Sequence, residues 1–309
     1  MSDLQESVVR AFSFDGGLYA LPEFCTVETL LCLESQAGGG DGWTVDEFLG
    51  WLEENEMVKS NAGLTREQVL EYCLKGNLDS YVDFEQREAD FTSEAFKSML
   101  SRIKPMELNP EGNFYYPTED CDVSGVHLYN AYISRISSIT EAEYVLGEKL
   151  VQKGLPNDSG EPKALLNSFN NLCILKKSEC PEGAFAFIEH CLTYDEGIID
   201  ESTKTYDRYL WTVKSRMEKE CESAREYDIT IDYNYETGEK TCIRMEITQE
   251  QEETVLESFR MGETDTYERM MIRQIIWEEA QPYFLGQKDL DTVCEIMQSR
   301  VNILLSERQ

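Results

Sequence analysis

The chain has 309 residues and a formal net charge of −32 at pH 7, from 28 Lys and Arg against 60 Asp and Glu. Hydrophobic residues make up 41% of it, which is enough to bury a core and excludes extensive disorder. The acidic excess argues against nucleic acid and against anionic membrane surfaces as partners, because both are bound through basic surfaces.

Targeting segments and metal motifs are not evident in the sequence. No apolar run approaches the roughly 20 residues that span a bilayer. Residues 1–20 lack a basic start followed by an apolar stretch, so no signal peptide is predicted there. The ten cysteines show no CxxC spacing and there are only two histidines, which argues against a zinc ribbon or finger. No cofactor is predicted. Neighbours such as those in Leu31-Cys32-Leu33 favour buried, reduced thiols, although the even count leaves some pairing open.

The first third of the chain is predicted to be strands followed by helices. Phe12–Pro22 has the pattern of a strand, an Asp-Gly turn and a second strand, and Phe24–Leu33 continues as an extended apolar run. Capping boxes at Thr44–Glu47 and Thr65–Gln68 predict two helix starts, and Asp90–Glu94 predicts a third.

The remaining two thirds alternate between strand and helix patterns. In chain order the patterns predict a strand at Val126–Ile133, a short helix capped at Ser138–Glu141, a tight turn at Gly154–Gly160, a buried strand at Phe169–Leu175, helices at Cys180–Leu192 and Tyr206–Ala224, a hairpin between Ile229 and Ile247, a helix capped at Thr248–Gln251, and helices at 265–284 and 289–305.

No catalytic signature stands out among these elements. The sequence has no P-loop, dinucleotide fingerprint or calcium loop. His127 and His190 have no nucleophile elbow beside them, and a structural role is the simpler interpretation for each. With 60 carboxylates, closely spaced acids carry no information about glycosidase chemistry. The residues alone therefore predict an α/β protein that is not an enzyme.

Seven motifs nevertheless follow one another in a characteristic order. They are Asp15–Pro22 (DGGLYALP), Phe24–Leu30, Gly42–Phe48 (GWTVDEF), Leu78–Asp83 with Phe91–Phe96, Gly154–Gly160 (GLPNDSG), Leu172–Glu196, and Gly286–Leu290 with Ile296–Val301. Together they resemble extracellular solute-binding proteins of carbohydrate ABC importers, the maltose-binding-like bilobed family. The resemblance covers nearly the whole chain.

The resemblance implies a periplasmic-binding-protein-like (type II) α/β fold with two lobes. Because it begins just before the first hinge, we expect a truncated form of that fold. Residues 27–167 and 223–309 would form a near-complete lobe 2 with the C-terminal helices, and residues 1–26 and 168–222 a partial lobe 1 with the hinge strands. The crossings near residues 22–30 and 165–175 should then lie side by side.

The implied function is non-catalytic carbohydrate binding for import, with the permease of an ABC transporter as partner. In the parent family such proteins are extracellular, cell-surface lipoproteins. Aromatic rings and planar amide or carboxylate groups suit a sugar. The candidate ligand-binding residues are Glu28, Tyr129, Tyr132, Asn170, Asn171 and Trp211. Each has a plainer interpretation as well, since tyrosines often pack in cores and tandem asparagines often form turns.

Two further expectations follow from the incomplete lobe 1. Sugar binding should be weak, since part of the cleft is absent, and an exposed sheet edge should invite self-association with another chain. An alternative hypothesis is an acidic protein-interaction module that reuses the solute-binding scaffold. The charge of −32 and the lack of an export signal motivate it.

Overall fold

A computed structural model gives the fold as a mixed sheet covered by helices on both faces. The structure describes residues 3–14, 16–55, 58–110, 123–193, 210–233 and 240–307. The strands are β1 (Ser13–Phe14), β2 (Gly17–Leu18), β3 (Leu21–Leu33), β4 (Lys59–Ser60), β5 (Val82–Asp83), β6 (Glu88–Ala89), β7 (Val126–Ile133), β8 (Leu150–Gln152), β9 (Ala164–Leu172), β10 (Leu210–Trp211), β11 (Glu226–Tyr233), β12 (Lys240–Glu246) and β13 (Gly262–Thr264). The helices are α1 (Glu6–Phe12), α2 (Val45–Glu54), α3 (Arg66–Asn77), α4 (Glu94–Ile103), α5 (Ser138–Leu146), α6 (Pro181–Thr193), α7 (Lys214–Ala224), α8 (Gln249–Met261), α9 (Tyr267–Phe284) and α10 (Leu290–Glu307).

The central sheet is organised around the long strand β3. Its order is β13-β9-β3-β7-β4, and β8 and β10 also pair with β3. β3 and β9 run antiparallel, from the pair Leu21↔Leu172 to the pair Glu28↔Leu165. The two crossings predicted to lie side by side are therefore hydrogen-bonded neighbours.

Two large apolar clusters lie on opposite faces of this sheet. On one face, α2, α3, α4, α9 and α10 pack with sheet residues such as Leu30 and Leu165. On the other, α1, α5, α7 and α8 pack with Cys25, Val27 and Leu31. Successive side chains of a strand point to opposite faces, so the alternation along β3 supplies both clusters. The second cluster joins residues from both predicted lobes, and the proposed lobe boundaries stay a prediction.

The capped helix starts predicted at Thr44, Thr65 and Thr248 are confirmed, whereas α5 begins at Ser138 without the predicted side-chain cap. Thr44, Thr65 and Thr248 each accept a hydrogen bond from the backbone N–H three residues later, and the side chain there accepts one in return from the threonine backbone N–H. Each reciprocal pair satisfies two backbone donors that a helix N-terminus leaves free.

Three predictions need correction. The helix predicted from Tyr206 begins only at Lys214, because Leu210 and Trp211 pair with β3 instead; residues 206–209 lie outside the described ranges. Helix α1 was not predicted. The strand predicted to be buried to Leu175 ends at Leu172, and its residues Phe169, Asn170 and Asn171 are exposed.

The prediction that the cysteines are buried holds for only some of them. Those in the described ranges are free thiols, and Cys25, Cys32, Cys73, Cys221 and Cys294 are buried. Cys173, Cys180 and Cys242 are exposed. Cys173 and Cys180 lie in loops, Cys242 lies on β12 of a two-stranded sheet, and Cys121 lies outside the described residues. Within the described ranges no helix is long and apolar enough to cross a membrane.

Candidate functional site

A groove of about 850 Å³ lies on the face of the sheet covered by α3 and α9. Strands β3, β7 and β9 form its floor, and the two helices form its wall. The lining residues are Thr26, Glu28, Glu67, Gln68, Leu70, Glu71, Leu74, Lys75, Tyr132, Leu166, Asn167, Ser168, Phe169, Thr264, Asp265, Met270, Arg273, Gln274 and Trp277. We call this space the groove.

Strand register brings the floor residues together. Thr26 lies opposite Asn167, and Glu28 lies between Leu165 on one side and Tyr132 on the other. Residues that face one another across a pair point to the same face of the sheet, so a polar row from three strands meets in the groove.

A chain of ion pairs joins the floor to the wall. Lys75 Nζ lies 2.8 Å from Glu28 Oε1 and 3.5 Å from Glu71 Oε1. Arg273 donates to Glu71 at 3.0 Å and to both Asp265 oxygens at 2.8 and 2.6 Å. Glu28 and Arg273 are buried, so each of these two charges depends on its partners to offset the cost of leaving water.

Arg273 is the more buried of the two cations in this chain of ion pairs, with 5% of its side chain exposed against 12% for Lys75. Burial works against its charge, but the hydrogen bond to Asp265 and the charge of Glu71 outweigh it, so its pKa is raised. The bidentate geometry is the strong form of an arginine–carboxylate pair. It ties α9 to the residue segment just before it, and the separate bond from Arg273 to Glu71 joins α9 to α3.

Aromatic rings lie along the floor of the groove and continue beyond it. Tyr132 is 51% exposed and Phe169 45%. Phe169 stacks on Phe24, with ring centroids 5.7 Å apart, and Phe24 meets Trp211 edge to face at 6.2 Å. The Arg216 guanidinium lies 3.5 Å from the Trp211 ring centroid. Phe169 on β9, Phe24 on β3 and Trp211 on β10 thus form one aromatic row across three neighbouring strands.

The residues proposed from the sequence are placed as follows. Glu28 and Tyr132 line the groove, and Trp211 reaches it only through the aromatic row. Asn170 and Asn171 are exposed at the end of β9, beyond the lining residues Asn167 and Phe169. Asn170 has a φ of 52°, a left-handed conformation that asparagine tolerates.

Tyr129 does not reach the groove. It pairs with Leu31 and packs in the cluster on the opposite face of the sheet. Burial, with the charge of Glu141 adding to it, raises the pKa of Tyr129 to about 12. The alternation along β7 turns Tyr129 away from Tyr132 and from the groove, so the groove gives Tyr129 no part in ligand binding.

The wall of the groove was missed by sequence reasoning. Glu67, Glu71 and Lys75 follow one another at helical spacing on α3, and Asp265 and Arg273 flank the start of α9. The spacing of Glu71 and Lys75 signals only a common helix face. Their meeting with α9 depends on tertiary packing. Among the described residues no group of three His, Cys, Asp or Glu side chains could hold a metal ion.

Comparisons with known proteins find the same fold in solute-binding proteins. The sugar-binding protein MalE from Xanthomonas citri superposes with a TM-score of 0.62 at 12% identity, over 99% of this chain and 75% of that one. The cyclic α-maltosyl-1,6-maltose binding protein from Arthrobacter globiformis gives 0.57 at 13% identity, over 99% and 77%. An ABC substrate-binding protein from Listeria monocytogenes in complex with cycloalternan gives 0.57 at 12% identity, over 99% and 76%.

These similarities establish the fold: the chain has the mixed α/β architecture of extracellular solute-binding proteins, as the resemblance implied. No protein-family sequence model matches the chain, and neither does any of the curated protein sequences compared with it.

Proposed function

We propose that the groove binds carbohydrate without catalysis, as part of an ABC import system. The observation that carries the proposal is the combination of exposed aromatic rings and hydrogen-bonding side chains in the groove of this fold. The structural neighbours include proteins that bind a cyclic maltosyl-maltose and cycloalternan.

The chemistry of the groove fits a sugar. A sugar ring has apolar faces and hydroxyl groups at its edges. Tyr132 and Phe169 offer half-exposed rings for stacking, while Thr26, Asn167 and Gln274 offer hydroxyl and amide groups in the same lining. Sites for small ligands combine apolar surfaces with a few placed polar groups in this way.

Of the residues proposed from the sequence, we assign Tyr132 to direct contact and Glu28 to holding Lys75 in place at 2.8 Å. Trp211 would extend the aromatic surface past Phe169. Asn170 and Asn171 would lie at the rim and reach only a ligand longer than the groove.

We further propose that the isolated chain binds its ligand weakly. The lining residues come from one sheet and from two helices on one side of it. A ligand held on one side keeps much of its contact with water, so less of its surface is buried. Sub-micromolar binding would refute this part of the proposal.

The remaining partner proposals rest on the fold alone. An ABC permease and an extracellular, lipid-anchored location would follow from an import role. Self-association would use the part of β9 beyond Leu166, where the described residues pair with it only on the β3 side. Light scattering that gives a monomer at high concentration would contradict self-association.

Isothermal titration with neutral oligosaccharides tests the central proposal. Tyr132→Ala and Phe169→Ala should each weaken binding about fivefold, from loss of roughly 1 kcal/mol of ring stacking. Tyr144→Ala is the matched control, because Tyr144 is similarly exposed (43%) but lies on α5. Absence of binding at millimolar ligand, or equal effects of the three variants, would contradict the proposal.

The alternative, an acidic protein-interaction module, makes a different prediction. It requires a protein partner whose binding is lost at high salt, since the charge of −32 would drive it. A protein captured by the chain and released by salt, together with no sugar binding, would favour this alternative.

A further inference from the structure

Helix α6 carries apolar side chains that it does not bury. Seven of the 13 residues of Pro181–Thr193 are apolar, yet only Ile188 and Leu192 are buried. Ala184, Phe187 and Cys191 follow at helical spacing beside these two, and they are half-buried or exposed. Because helices of folded proteins bury their apolar stripe, the uncovered part of this one indicates a contact with another surface.

The uncovered apolar surface continues onto the elements next to α6. Leu18, Leu21 and Leu172 pack against Ile188 and Leu192, so the β1–β2 hairpin and the end of β9 lie beside the helix. The exposed apolar side chains around this small cluster are Phe14, Tyr19, Ile174, Leu175, Phe185 and Phe187. We call these six side chains the α6 patch.

The α6 patch is large enough for a stable dimer. The exposed fractions of its four aromatic members add up to about two and a half whole side chains, or roughly 500 Å² at about 200 Å² each. Ile174 and Leu175 enlarge it further. A typical dimer interface takes about 800 Å² from each partner, of which roughly 500 Å² is apolar. The patch alone supplies that apolar area.

An open strand edge lies next to the patch. Beyond Leu166, the described residues pair with β9 only on the β3 side, so the stretch 167–172 presents backbone N–H and C=O groups along its other edge. Leu172, the last residue of β9, packs against α6. A single partner that brings a strand and an apolar helix can therefore cover both features.

A second copy of the chain supplies both features in the required arrangement. A strand edge that pairs antiparallel with its own copy relates the two copies by a two-fold axis. That axis also brings each α6 next to the α6 of the other copy. The local charge permits the contact, since residues 167–193 carry two lysines and three glutamates, 2 − 3 = −1, in a chain of net charge −32. Interface cores are depleted of charged residues in the same way.

We propose that two copies of the chain form a two-fold dimer in which the open edges of β9 pair and the α6 patches pack against each other. The inference rests on the self-association proposed above and adds the surface that carries it. It does not depend on carbohydrate binding. Phe187 is a main contact, because it is the most exposed apolar side chain of α6.

Sedimentation equilibrium of the full chain, at about 1–100 μM in about 0.15 M salt, tests the helix contact. We expect a reversible dimer with a dissociation constant in the micromolar range. Phe187→Glu should weaken it at least about tenfold, because the contact would bury an unpaired charge. Ile303→Glu is the matched control, since Ile303 is 54% exposed on α10 against 61% for Phe187, and it should leave the dissociation constant unchanged.

Hydrogen exchange tests the strand contact. The amides of residues 167–172 that face the open edge should exchange more slowly at about 100 μM than at about 1 μM, because pairing protects them. The amides of α10 should exchange equally at both concentrations. In the Phe187→Glu variant the protection of β9 should lose its dependence on concentration.

The outcomes separate this inference from the proposals made above. A monomer at about 100 μM overturns both the inference and self-association. A dimer that Phe187→Glu leaves intact overturns the inference alone, because the copies then meet elsewhere, and so does β9 exchange that is independent of concentration. Saccharide titration is a separate measurement, and a failure of sugar binding leaves the dimer unaffected.

Discussion

Replacing Arg273 with methionine should destabilise the protein more than any comparable change of a surface arginine. The side chain is 5% exposed and donates three hydrogen bonds, at 2.6 to 3.0 Å, to Asp265 and Glu71. Methionine fills similar volume but leaves Asp265, itself 10% exposed, without its partner. Breaking a buried pair in this way costs about 3–5 kcal/mol.

Arg300→Met provides the matched control. Arg300 also contacts two carboxylates, at 2.6 and 2.8 Å, but its side chain is 38% exposed. Exposed ion pairs contribute about 0–1 kcal/mol, because water already solvates both charges. Thermal unfolding should place the Arg273→Met midpoint well below that of Arg300→Met, by roughly 2–4 °C for each kcal/mol of difference.

The double variant Arg273→Met with Asp265→Asn tests the cause. Most of the penalty comes from an uncompensated carboxylate, so neutralising Asp265 should recover part of the lost stability. Equal midpoints for Arg273→Met and Arg300→Met would refute the reasoning. So would a double variant less stable than the sum of the two single changes.

Three further changes probe the packing and the thiols. Gly76→Ala should destabilise the protein severely, because the new Cβ would lie 2.0 Å from the Pro156 carbonyl oxygen, and equilibrium urea unfolding measures the loss. Thr44→Ala should cost about 1 kcal/mol in the same assay by removing a capping box; no change would show that the cap is dispensable. Thiol labelling at pH about 8 should be fast at exposed Cys173 and slow at Cys25 until the chain unfolds. The reason is that only the thiolate reacts, and burial raises the pKa of Cys25 to about 12. Fast labelling of Cys25 in the native protein would contradict its burial.

The sequence alone determined the elements whose causes are local. A capping box such as Thr65–Gln68 satisfies its own helix end with residues three apart, so it can be recognised without knowledge of the fold. The extended run at Phe24–Leu33 likewise follows from its own apolar residues. The prediction from Tyr206 failed for the opposite reason. Leu210 and Trp211 take their structure from β3, about 185 residues earlier in the chain.

The candidate site was only partly accessible from the sequence. Glu28 and Tyr132 could be proposed from their place in the resemblance, and both line the groove. The ion-pair chain could not be proposed, since Lys75 and Arg273 come together only when α3 packs beside α9. No local spacing relates two residues so far apart in the chain.

Tyr129 and Tyr132 show what the sequence determines about a strand and what only the tertiary structure determines. They are three residues apart on one strand, so alternation alone dictates that they point to opposite faces of the sheet. Which of the two faces the groove depends on which helices cover each face. Only the tertiary structure determines which face the groove lies on, because α3 and α9 pack on one face of the sheet and α5 and α8 on the other.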